Sequence, residues 1–530
     1  MVVGAGFAGL YLLHRLRSEG LSVRLFEAAD GVGGVWYWNR YPGARCDVES
    51  ADYSYSFDAE LEQEWHWPEK FSSQPDIMRY TTHVADRFGL RDDIVLSTRV
   101  TSAVFDEAAE RWTVSTDHGG AVTARLVFMA TGCLSIPRTP DYPGLDTFGG
   151  LALHTGAWPH TPVELAGKRV AVIGVGSSGT QLIPVVAREA EHLVVFQRTP
   201  NFTVPAQNTP QDAATEALVK ATYRERRAFT RQTASGLNTD INRQSAFDVT
   251  PEQRLAIYEQ HWNGAGFGFI LAFSDLLRSA EANQTAVDFL TGKIRQQVKD
   301  PLVADRLCPQ DYPFGAKRPS VDSGFYDTFN RDNVTLVDVK AAPIVEVTAT
   351  GVRTTDGTYD VDVLIFATGF DAMTGALSKI DVRGRDGVAL ADKWAAGPRT
   401  FLGVATEGFP NLFFLAGAGS PSVLTNVMVA IEQHVEWLGD LVHHVVAAGV
   451  STVEATRAAE DDWVEHVNEI ANATLYVQAN SWYLGANVPG KPRVFMPYPG
   501  GLRAYRRRCT DVAAGGYDGF VLTLAEPARV

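Results

Sequence analysis

The side chains with the clearest chemical potential are one isolated carboxylate and one adjacent pair of cations. Asp47 ends a run in which two glycines are followed by closely spaced aromatic residues. A carboxylate in such apolar surroundings needs a cation or hydrogen-bond donors. Lys317 and Arg318 are the candidate cations, far along the chain. From the residues alone a solvated Lys-Arg pair is the simpler interpretation. The alternative is that one cation binds a phosphate and the other faces a reacting centre.

Two glycine-rich sequences have the spacing that binds a dinucleotide pyrophosphate. In such a turn the first glycine permits the bend, the second admits the phosphates and the third lets helix and strand pack closely. The phosphates then face a helix N-terminus, whose free N–H groups favour an anion. Each copy stands between a predicted strand and a predicted helix, as the motif requires. The two sets are Gly4, Gly6 and Gly9, and Gly174, Gly176 and Gly179.

The residue that ends the second strand of each unit indicates which nucleotide is bound. Glu27 stands 23 positions after Gly4, where a carboxylate accepts hydrogen bonds from a ribose diol. The same position of the second unit is Gln197, followed by Arg198. A guanidinium binds a 2′-phosphate that a carboxylate would repel. The first site therefore fits FAD and the second NADP, unless Arg198 is only a solvated charge at the strand end.

The elements around the two turns repeat one order. Each unit is predicted as strand, glycine turn, helix and strand, over residues 1–27 and 169–196. Each is followed later by an apolar strand that ends in Ala-Thr-Gly, at residues 126–132 and 363–369. The sequence thus predicts an α/β fold with two Rossmann-like dinucleotide-binding domains. Residues 206–310 break this order, are rich in Ala, Glu, Arg and Gln, and are predicted as a mostly helical insertion.

The domain boundaries follow from that order. The predicted units are the first part of the FAD domain (1–135), a linker (136–160), the NADP domain (161–205 and 311–370), the helical insertion (206–310), and a return to the FAD domain with a C-terminal substrate and closure region (371–530).

Composition excludes several classes of protein. The 530 residues carry a formal charge of −15, which argues against a nucleic-acid partner. An apolar run of about 18 residues is absent, so no membrane insertion is predicted. The four cysteines form no C-x-x-C pair, which favours cytosolic thiols and a cytoplasmic location and indicates no metal site. Only three residues precede Gly4, fewer than the roughly five of a usual strand, so we expect the natural chain to start upstream.

A segment between the two units carries a specific family signature. Residues 148–159 have the pattern F-x-G-x-x-x-H-x-x-x-W-P. With the strings Ala44-Arg45-Cys46-Asp47, Phe196-Gln197-Arg198-Thr199 and Gly315-Ala316-Lys317-Arg318, the chain resembles the Baeyer–Villiger monooxygenases, notably the phenylacetone and steroid branch. Matching motifs extend from residue 4 to about residue 500. Flavin-containing and N-hydroxylating monooxygenases share a looser signature without the Trp-Pro ending.

The resemblance implies an enzyme that converts a ketone to an ester or lactone with FAD, NADPH and O₂, through a C4a-peroxyflavin. Arg318 matches the catalytic arginine, which would stabilise negative charge, and Asp47 matches the acid that positions it. His154 matches the motif histidine in the link between the nucleotide domains, and we assign it no acid–base chemistry.

The resemblance also assigns the binding residues. For FAD they are Gly4, Gly6, Gly9, Glu27, Gly34, Val35, Trp36, Asp47, Tyr53 and Val100. For NADP they are Arg45, Cys46, Asp47, Gly174, Gly176, Ser177, Ser178, Gly179, Gln181, Arg198, Thr199, Lys317, Arg318 and Trp482. The loop of Ser422, Val423 and Leu424 resembles part of a substrate pocket. Cys133 departs from the branch, which has a larger polar residue there, so the relative's substrate preference does not transfer.

Three alternatives remain at this stage. An N- or S-oxygenating flavin monooxygenase shares both nucleotide sites, but Trp158-Pro159 and Arg318 argue against it. A disulfide reductase needs a cysteine pair beside the flavin, whereas Cys46 stands alone in its loop. A non-catalytic NADPH-sensing flavoprotein would have lost Arg318 or Asp47. The sequence leaves the ketone and its selectivity open, and a monomer or weak dimer is expected.

Overall fold

The computed structural model describes residues 1–264 and 266–525. Its helices are, in chain order, α1 (Phe7–Ser18), α2 (Val35–Trp38), α3 (Ala59–Glu64), α4 (Gln74–Arg87), α5 (Ser177–Glu189), α6 (Ala213–Thr230), α7 (Pro251–Gly264), α8 (Ala280–Gln297), α9 (Pro301–Leu307), α10 (Phe325–Thr328), α11 (Leu390–Lys393), α12 (Val427–Ala447), α13 (Arg457–Asn472) and α14 (Leu502–Ala514).

The strands are short and alternate with these helices. They are β1 (Val2–Val3), β2 (Leu25–Phe26), β3 (Ile94–Val95), β4 (Val100–Asp106), β5 (Arg111–Thr116), β6 (Ala121–Ala124), β7 (Val127–Met129), β8 (Leu151–His154), β9 (Arg169–Ile173), β10 (His192–Gln197), β11 (Thr203–Pro205), β12 (Ser320–Asp322), β13 (Val334–Asp338), β14 (Ile344–Thr348), β15 (Gly351–Thr354), β16 (Thr358–Asp360), β17 (Val363–Phe366), β18 (Asp381–Arg383), β19 (Leu412–Phe414), β20 (Val450–Ala455) and β21 (Phe520–Leu524).

The first parallel sheet contains the first glycine turn. Its strand order is β19-β7-β1-β2-β3. Its strands are almost wholly apolar, because a parallel sheet is covered on both faces. Helices α1 and α12 share one apolar core with it, and side chains of β4 and β5 bury the other face. The carboxyl end of β1, where a ligand of such a sheet binds, therefore opens between covered layers.

The second parallel sheet repeats this arrangement around the second glycine turn. Its order is β13-β10-β9-β17-β8. In both sheets the strand after the turn's helix lies on one side of the fingerprint strand, and the Ala-Thr-Gly strand lies on the other. The predicted duplication is thus present. The fifth strand differs, because C-terminal β19 completes the first sheet while β8, from the 148–159 segment, completes the second.

The insertion is mostly helical and contacts residues of both nucleotide-binding units. Asp212, Ser279 and Asp300 begin α6, α8 and α9 by accepting backbone N–H groups, as N-cap residues do. The insertion has an apolar core of its own, and α8 and α9 also join the core of the second sheet. One end of the insertion is therefore fixed to the NADP domain.

Smaller sheets complete the molecule: β11-β12, β14-β15-β16, β18-β4-β5-β6 and β20-β21. Among the helices that the structure describes, none has the length and hydropathy required to cross a bilayer.

Candidate active site

The first glycine turn is built for close approach of backbone. Gly4 has φ +105°, and a Cβ there would lie 2.5 Å from the carbonyl oxygen of Ala130. A Cβ at Gly9 would lie 1.8 Å from the carbonyl oxygen of Gly4. No side chain caps the N-terminus of α1 at Gly6, so its first N–H groups are left for an anion. These features fit a dinucleotide pyrophosphate.

Glu27 is held at the end of β2. Its carboxylate accepts N–H hydrogen bonds from Ala5 at 2.6 Å and Ala29 at 2.8 Å. Burial raises the pKa of Glu27, and these backbone donors oppose the shift. A carboxylate fixed in this way retains lone pairs that could accept hydrogen bonds from ribose hydroxyl groups.

The other predicted FAD residues lie against this turn or in the apolar cluster that covers one face of the first sheet. Gly34, with φ +57°, approaches the turn so closely that a Cβ would lie 2.8 Å from Gly6 Cα. Trp36, in α2 directly after Val35, donates its indole N–H to the Tyr53 hydroxyl at 3.0 Å. Val100 is buried at the start of β4, in the same apolar cluster as Phe26.

The second glycine turn has nearly the same geometry as the first. Gly174 has φ +109°, and a Cβ there would lie 2.5 Å from the carbonyl oxygen of Ala367. A Cβ at Gly179 would lie 2.2 Å from the Gly174 carbonyl oxygen, whereas space around Gly176 is open. Helix α5 begins at Ser177 and Ser178 without a side-chain cap. This turn therefore fits a second dinucleotide.

Two cations stand together beside the second sheet. Lys317 Nζ lies 4.3 Å from the centre of the Tyr312 ring. Burial and the nearby Arg198 cation lower the pKa of Lys317 to about 8. Within residues 1–264 and 266–525 neither Lys317 nor Arg198 forms an ion pair, and Thr199 follows Arg198 directly. Asp311 opposes the lowered pKa of Lys317 but forms its ion pair with Lys340. Two close cations that no ion pair occupies in this part of the chain are a natural site for a 2′-phosphate.

NADP⁺ binding by the FAD-loaded protein should weaken as the pH rises above about 8. Lys317 is protonated below its pKa of about 8, and a bound phosphate dianion raises that pKa. The attraction is thus fully present at low pH and is lost as Lys317 deprotonates, by up to about tenfold in Kd per pH unit. Titration of NADP⁺ by calorimetry at pH 7 to 9.5 checks this. NAD⁺ and the Lys317→Met variant should both give flat profiles, and a slope that Lys317→Met retains would exclude this lysine as the source.

Asp47 and Arg318 form a bidentate ion pair across 271 positions of sequence. Arg318 Nε and Nη2 each donate to a different oxygen of Asp47 at 2.9 Å. Burial lowers the pKa of Arg318, but the Asp47 carboxylate outweighs burial and holds that pKa above its usual range. Phe267, from the insertion, lies against the guanidinium at 4.1 Å from ring centre to Cζ. The arginine is therefore fully charged and fixed in orientation.

The predicted pocket loop supplies a third contact to this arginine. Arg318 Nη1 donates to the Val423 carbonyl at 2.7 Å. Ser422 has φ +41°, which is uncommon for a residue with a side chain, and its Oγ is buried. Burial raises the pKa of the Cys133 thiol, with the Ser422 hydroxyl and Arg318 opposing the shift. Cys133, which departs from the family pattern, thus lies beside this loop and Leu424.

The remaining NADP residues connect the two nucleotide domains. Gln181, on α5, accepts a hydrogen bond from the Tyr41 hydroxyl at 2.8 Å and donates to the Arg45 carbonyl at 3.0 Å. The Arg45 side chain pairs with Glu69 at 2.8 Å. Cys46 is buried, and burial raises its pKa well above the usual value. The loop that ends in Asp47 is therefore fixed against the start of α5.

A C-terminal segment places aromatic residues near Arg318. Trp482 packs against Tyr483 with ring centres 4.5 Å apart. Burial raises the pKa of Tyr483 above its usual range, and burial raises that of Tyr476 to about 12, while Arg318 opposes both shifts. These tyrosines and Phe267 are not among the site residues predicted from the sequence. Adjacency to Trp482 could have indicated Tyr483, whereas nothing in the sequence places Phe267 on Arg318.

The motif histidine has a structural position. His154 Nδ1 accepts the Gly156 N–H at 2.9 Å, and Nε2 faces the Arg138 carbonyl at 3.2 Å. Burial lowers the pKa of His154, so the neutral ring is favoured. Trp158 is buried in the core of the second sheet. The motif thus joins the edge of that sheet to the loop at residue 138.

Comparison with known proteins agrees with this geometry. A family model described as flavin-binding monooxygenase-like matches residues 1–209. The chain is 42% identical to acetone monooxygenase (methyl acetate-forming) of Gordonia sp. (strain TY-5), covering 98% of each chain. It is 44% identical to a phenazine N-monooxygenase of Lysobacter antibioticus, covering 98% of this chain and 96% of the relative. Its structure is similar to that of oxidized steroid monooxygenase bound to NADP, with a TM-score of 0.95, 54% identity and 99% of each chain covered.

The chain belongs to the Baeyer–Villiger monooxygenases, flavoproteins that use NADPH and O₂ to convert ketones to esters or lactones. The predicted fold class, the two cofactors and the enzyme class are confirmed. The roles of individual residues and the domain boundaries stay predictions.

Proposed function

We propose that this enzyme oxygenates an apolar ketone beside Arg318, with Asp47 as the residue that positions the guanidinium. The bidentate pair at 2.9 Å carries this proposal. On the Val423 side it adjoins an apolar cluster that would accept the hydrocarbon part of a ketone. The cluster contains Cys133, Leu134, Met373, Val423, Leu424, Tyr476, Tyr483 and Phe495.

The hydrogen bonds of Arg318 indicate which of its N–H groups remain available to a substrate. A guanidinium has five N–H groups. Asp47 and the Val423 carbonyl occupy three of them, which leaves two N–H groups to donate to an oxygen that gains negative charge. A fixed donor stabilises such charge without having to reorient as the reaction proceeds. Arg318 is therefore suited to hold the oxygen atoms at the reacting centre.

The cofactors are assigned to the two glycine turns. Bound FAD, reduced by NADPH, supplies the oxygen chemistry, and the protein supplies binding, orientation and charge. We assign FAD to the first turn with Glu27, Gly34, Val35, Trp36, Asp47, Tyr53 and Val100. We assign NADP to the second turn with Arg45, Cys46, Asp47, Ser177, Ser178, Gln181, Arg198, Thr199, Lys317, Arg318 and Trp482.

Exclusion of water is assigned to the aromatic C-terminal segment. Tyr483 and Phe495 are buried, and Tyr476 lies 5.4 Å from Phe495 between ring centres. A dry wall beside Arg318 strengthens its charge interactions and limits loss of activated oxygen to water. Trp482–Leu484 form one short helical turn of this segment, and we propose that closure of the site involves residues 482–484.

A substrate panel tests the proposed reaction. Purified protein with FAD and NADPH should convert linear, cyclic and aryl ketones to products heavier by one oxygen, which mass spectrometry identifies as esters or lactones. A phenazine and a thioether belong in the same panel, because one relative is named as an N-monooxygenase. N-oxide or sulfoxide formation without any ester would favour the alternative.

We also propose a cytoplasmic protein that is a monomer or weak dimer. The four cysteines are unpaired, as reducing conditions would leave them. Light scattering after gel filtration measures the mass at several concentrations.

A further inference from the structure

A cavity of about 250 Å³ is lined in part by Asp47, the partner of Arg318. The loop that carries Asp47 lines one side, and residues of the insertion, including His261 and Phe267, line the other. Glu49 and Asp52 line the same cavity. The carboxylates of Asp47, Glu49 and Asp52, all from one short loop, therefore line one cavity, and Asp47 is the counter-ion of Arg318.

One residue of the insertion neutralises the two additional carboxylates. Arg226, on α6, donates to both oxygens of Asp52 at 2.6 and 2.7 Å and to Glu49 at 2.7 Å. The Asp52 side chain is only 3% exposed and that of Arg226 12%. Burial lowers the pKa of Arg226, but the pairs with Asp52 and Glu49 outweigh it and leave the pKa above its usual range. The Arg226–Asp52 contact is thus a buried ion pair, while the Glu49 side chain is 39% exposed.

The charges around the cavity balance only when Arg226 is present. Arg318 balances Asp47, and Lys70 lies 3.5 Å from Glu49. Without Arg226, Asp52 would be a buried carboxylate with no ion-pair partner in the described part of the chain, and only the more distant charge of Arg227 would act on it. The other titratable groups around these residues are His261, whose Nδ1 bonds the Gly268 carbonyl, Tyr223, and the Arg227–Glu62 pair.

We propose that Arg226 is a positioning residue that keeps Glu49 and Asp52 from competing with Asp47 for Arg318. The inference rests on the proposed function of Arg318. Glu49 and Asp52 line the same cavity as Asp47. A carboxylate there without its own cation would attract the Arg318 guanidinium and would repel negative charge at the reacting centre. The Asp52 carbonyl also accepts the Asn426 side-chain N–H at 2.9 Å. The loop that carries Asp47 is therefore hydrogen-bonded to the segment that directly follows Val423.

The pH profile of ester formation tests this role. Arg226→Gln should lower kcat about tenfold at pH 8.5 and much less at pH 5.5. A buried carboxylate that has lost its cation takes up a proton at higher pH than an exposed one, which removes the added charge. Arg226→Gln combined with Glu49→Gln and Asp52→Asn should recover most of kcat, and Arg226→Lys should keep most of it.

Arg227→Gln is the matched control. Arg227 is the neighbouring buried arginine of α6, and its ion pair is with Glu62, which does not line the cavity. Against the effect of burial, Asp52 also raises the pKa of Arg227, but less than Glu62 does, and Asp52 keeps both hydrogen bonds from Arg226 when Arg227 is replaced. The Arg227→Gln substitution should lower thermal stability and leave the pH profile of kcat unchanged. A pH-independent loss in Arg226→Gln that the neutral triple variant does not recover would overturn the proposal. Absence of ester from the unaltered enzyme would instead defeat the proposed function, and the same comparison is then made on ketone-free NADPH oxidation, measured as H₂O₂ release.

Discussion

Arg318→Ala should abolish ester formation while FAD stays bound. The substitution removes the two N–H groups that remain for the reacting oxygen and the positive charge behind them. Loss of a single preorganised donor costs about 3–4 kcal/mol of transition-state stabilisation, so we expect kcat for the ketone to fall at least about 1000-fold. Ester formation is measured by mass spectrometry, and bound FAD by its visible absorbance.

Two conservative variants separate charge from geometry. Arg318→Lys keeps a cation but cannot bind Asp47 through a planar fork, so we expect a large but incomplete loss. Asp47→Asn keeps the shape of the partner and removes its charge, and we expect an intermediate loss because the guanidinium is held less firmly. Ester formation by Arg318→Ala at the rate of the unaltered enzyme would remove this arginine from the mechanism.

The second large effect concerns the choice of nicotinamide cofactor. Arg198→Ala combined with Lys317→Ala should raise KM for NADPH at least about 100-fold and change KM for NADH little. Each charge-assisted contact to a phosphate contributes about 1.5–3 kcal/mol, and NADH has no 2′-phosphate to lose them. Initial rates with both cofactors at saturating ketone give the two KM values.

A cation elsewhere in the same domain controls for general loss of positive charge. Arg188 is exposed near the end of α5, and Arg188→Ala should alter neither KM. Equal increases in KM for NADPH and NADH in the double variant would mean that the 2′-phosphate binds elsewhere.

Local sequence rules were sufficient for the two nucleotide units. Gly4 and Gly9 are needed because neighbouring carbonyl oxygens lie within 1.8 to 2.5 Å of any Cβ, and that requirement depends on residues of the turn and the adjacent strand. The alternation of apolar strand, glycine turn and helix is equally local. The duplicated fold, FAD and NADP could therefore be predicted, although the origin of the fifth strand of each sheet could not.

The candidate catalytic centre depended on the tertiary structure. The sequence alone favoured a solvated Lys-Arg pair, and only the family resemblance connected Arg318 with Asp47. Packing decides this contact, because the two residues are 271 positions apart and come from different domains. The same holds for the Val423 carbonyl, which reaches Arg318 across 105 positions.

From the amino-acid sequence alone we could predict the number of nucleotide sites, the nucleotide that each site fits and the family. Those properties are encoded in short stretches where backbone sterics and a single charged side chain decide the outcome. The tertiary structure decided that Lys317 stands beside Arg198 while its neighbour Arg318 points to Asp47. It also decided that Arg226 of the insertion binds Glu49 and Asp52, since a buried charge takes its partner from whichever element packs against it.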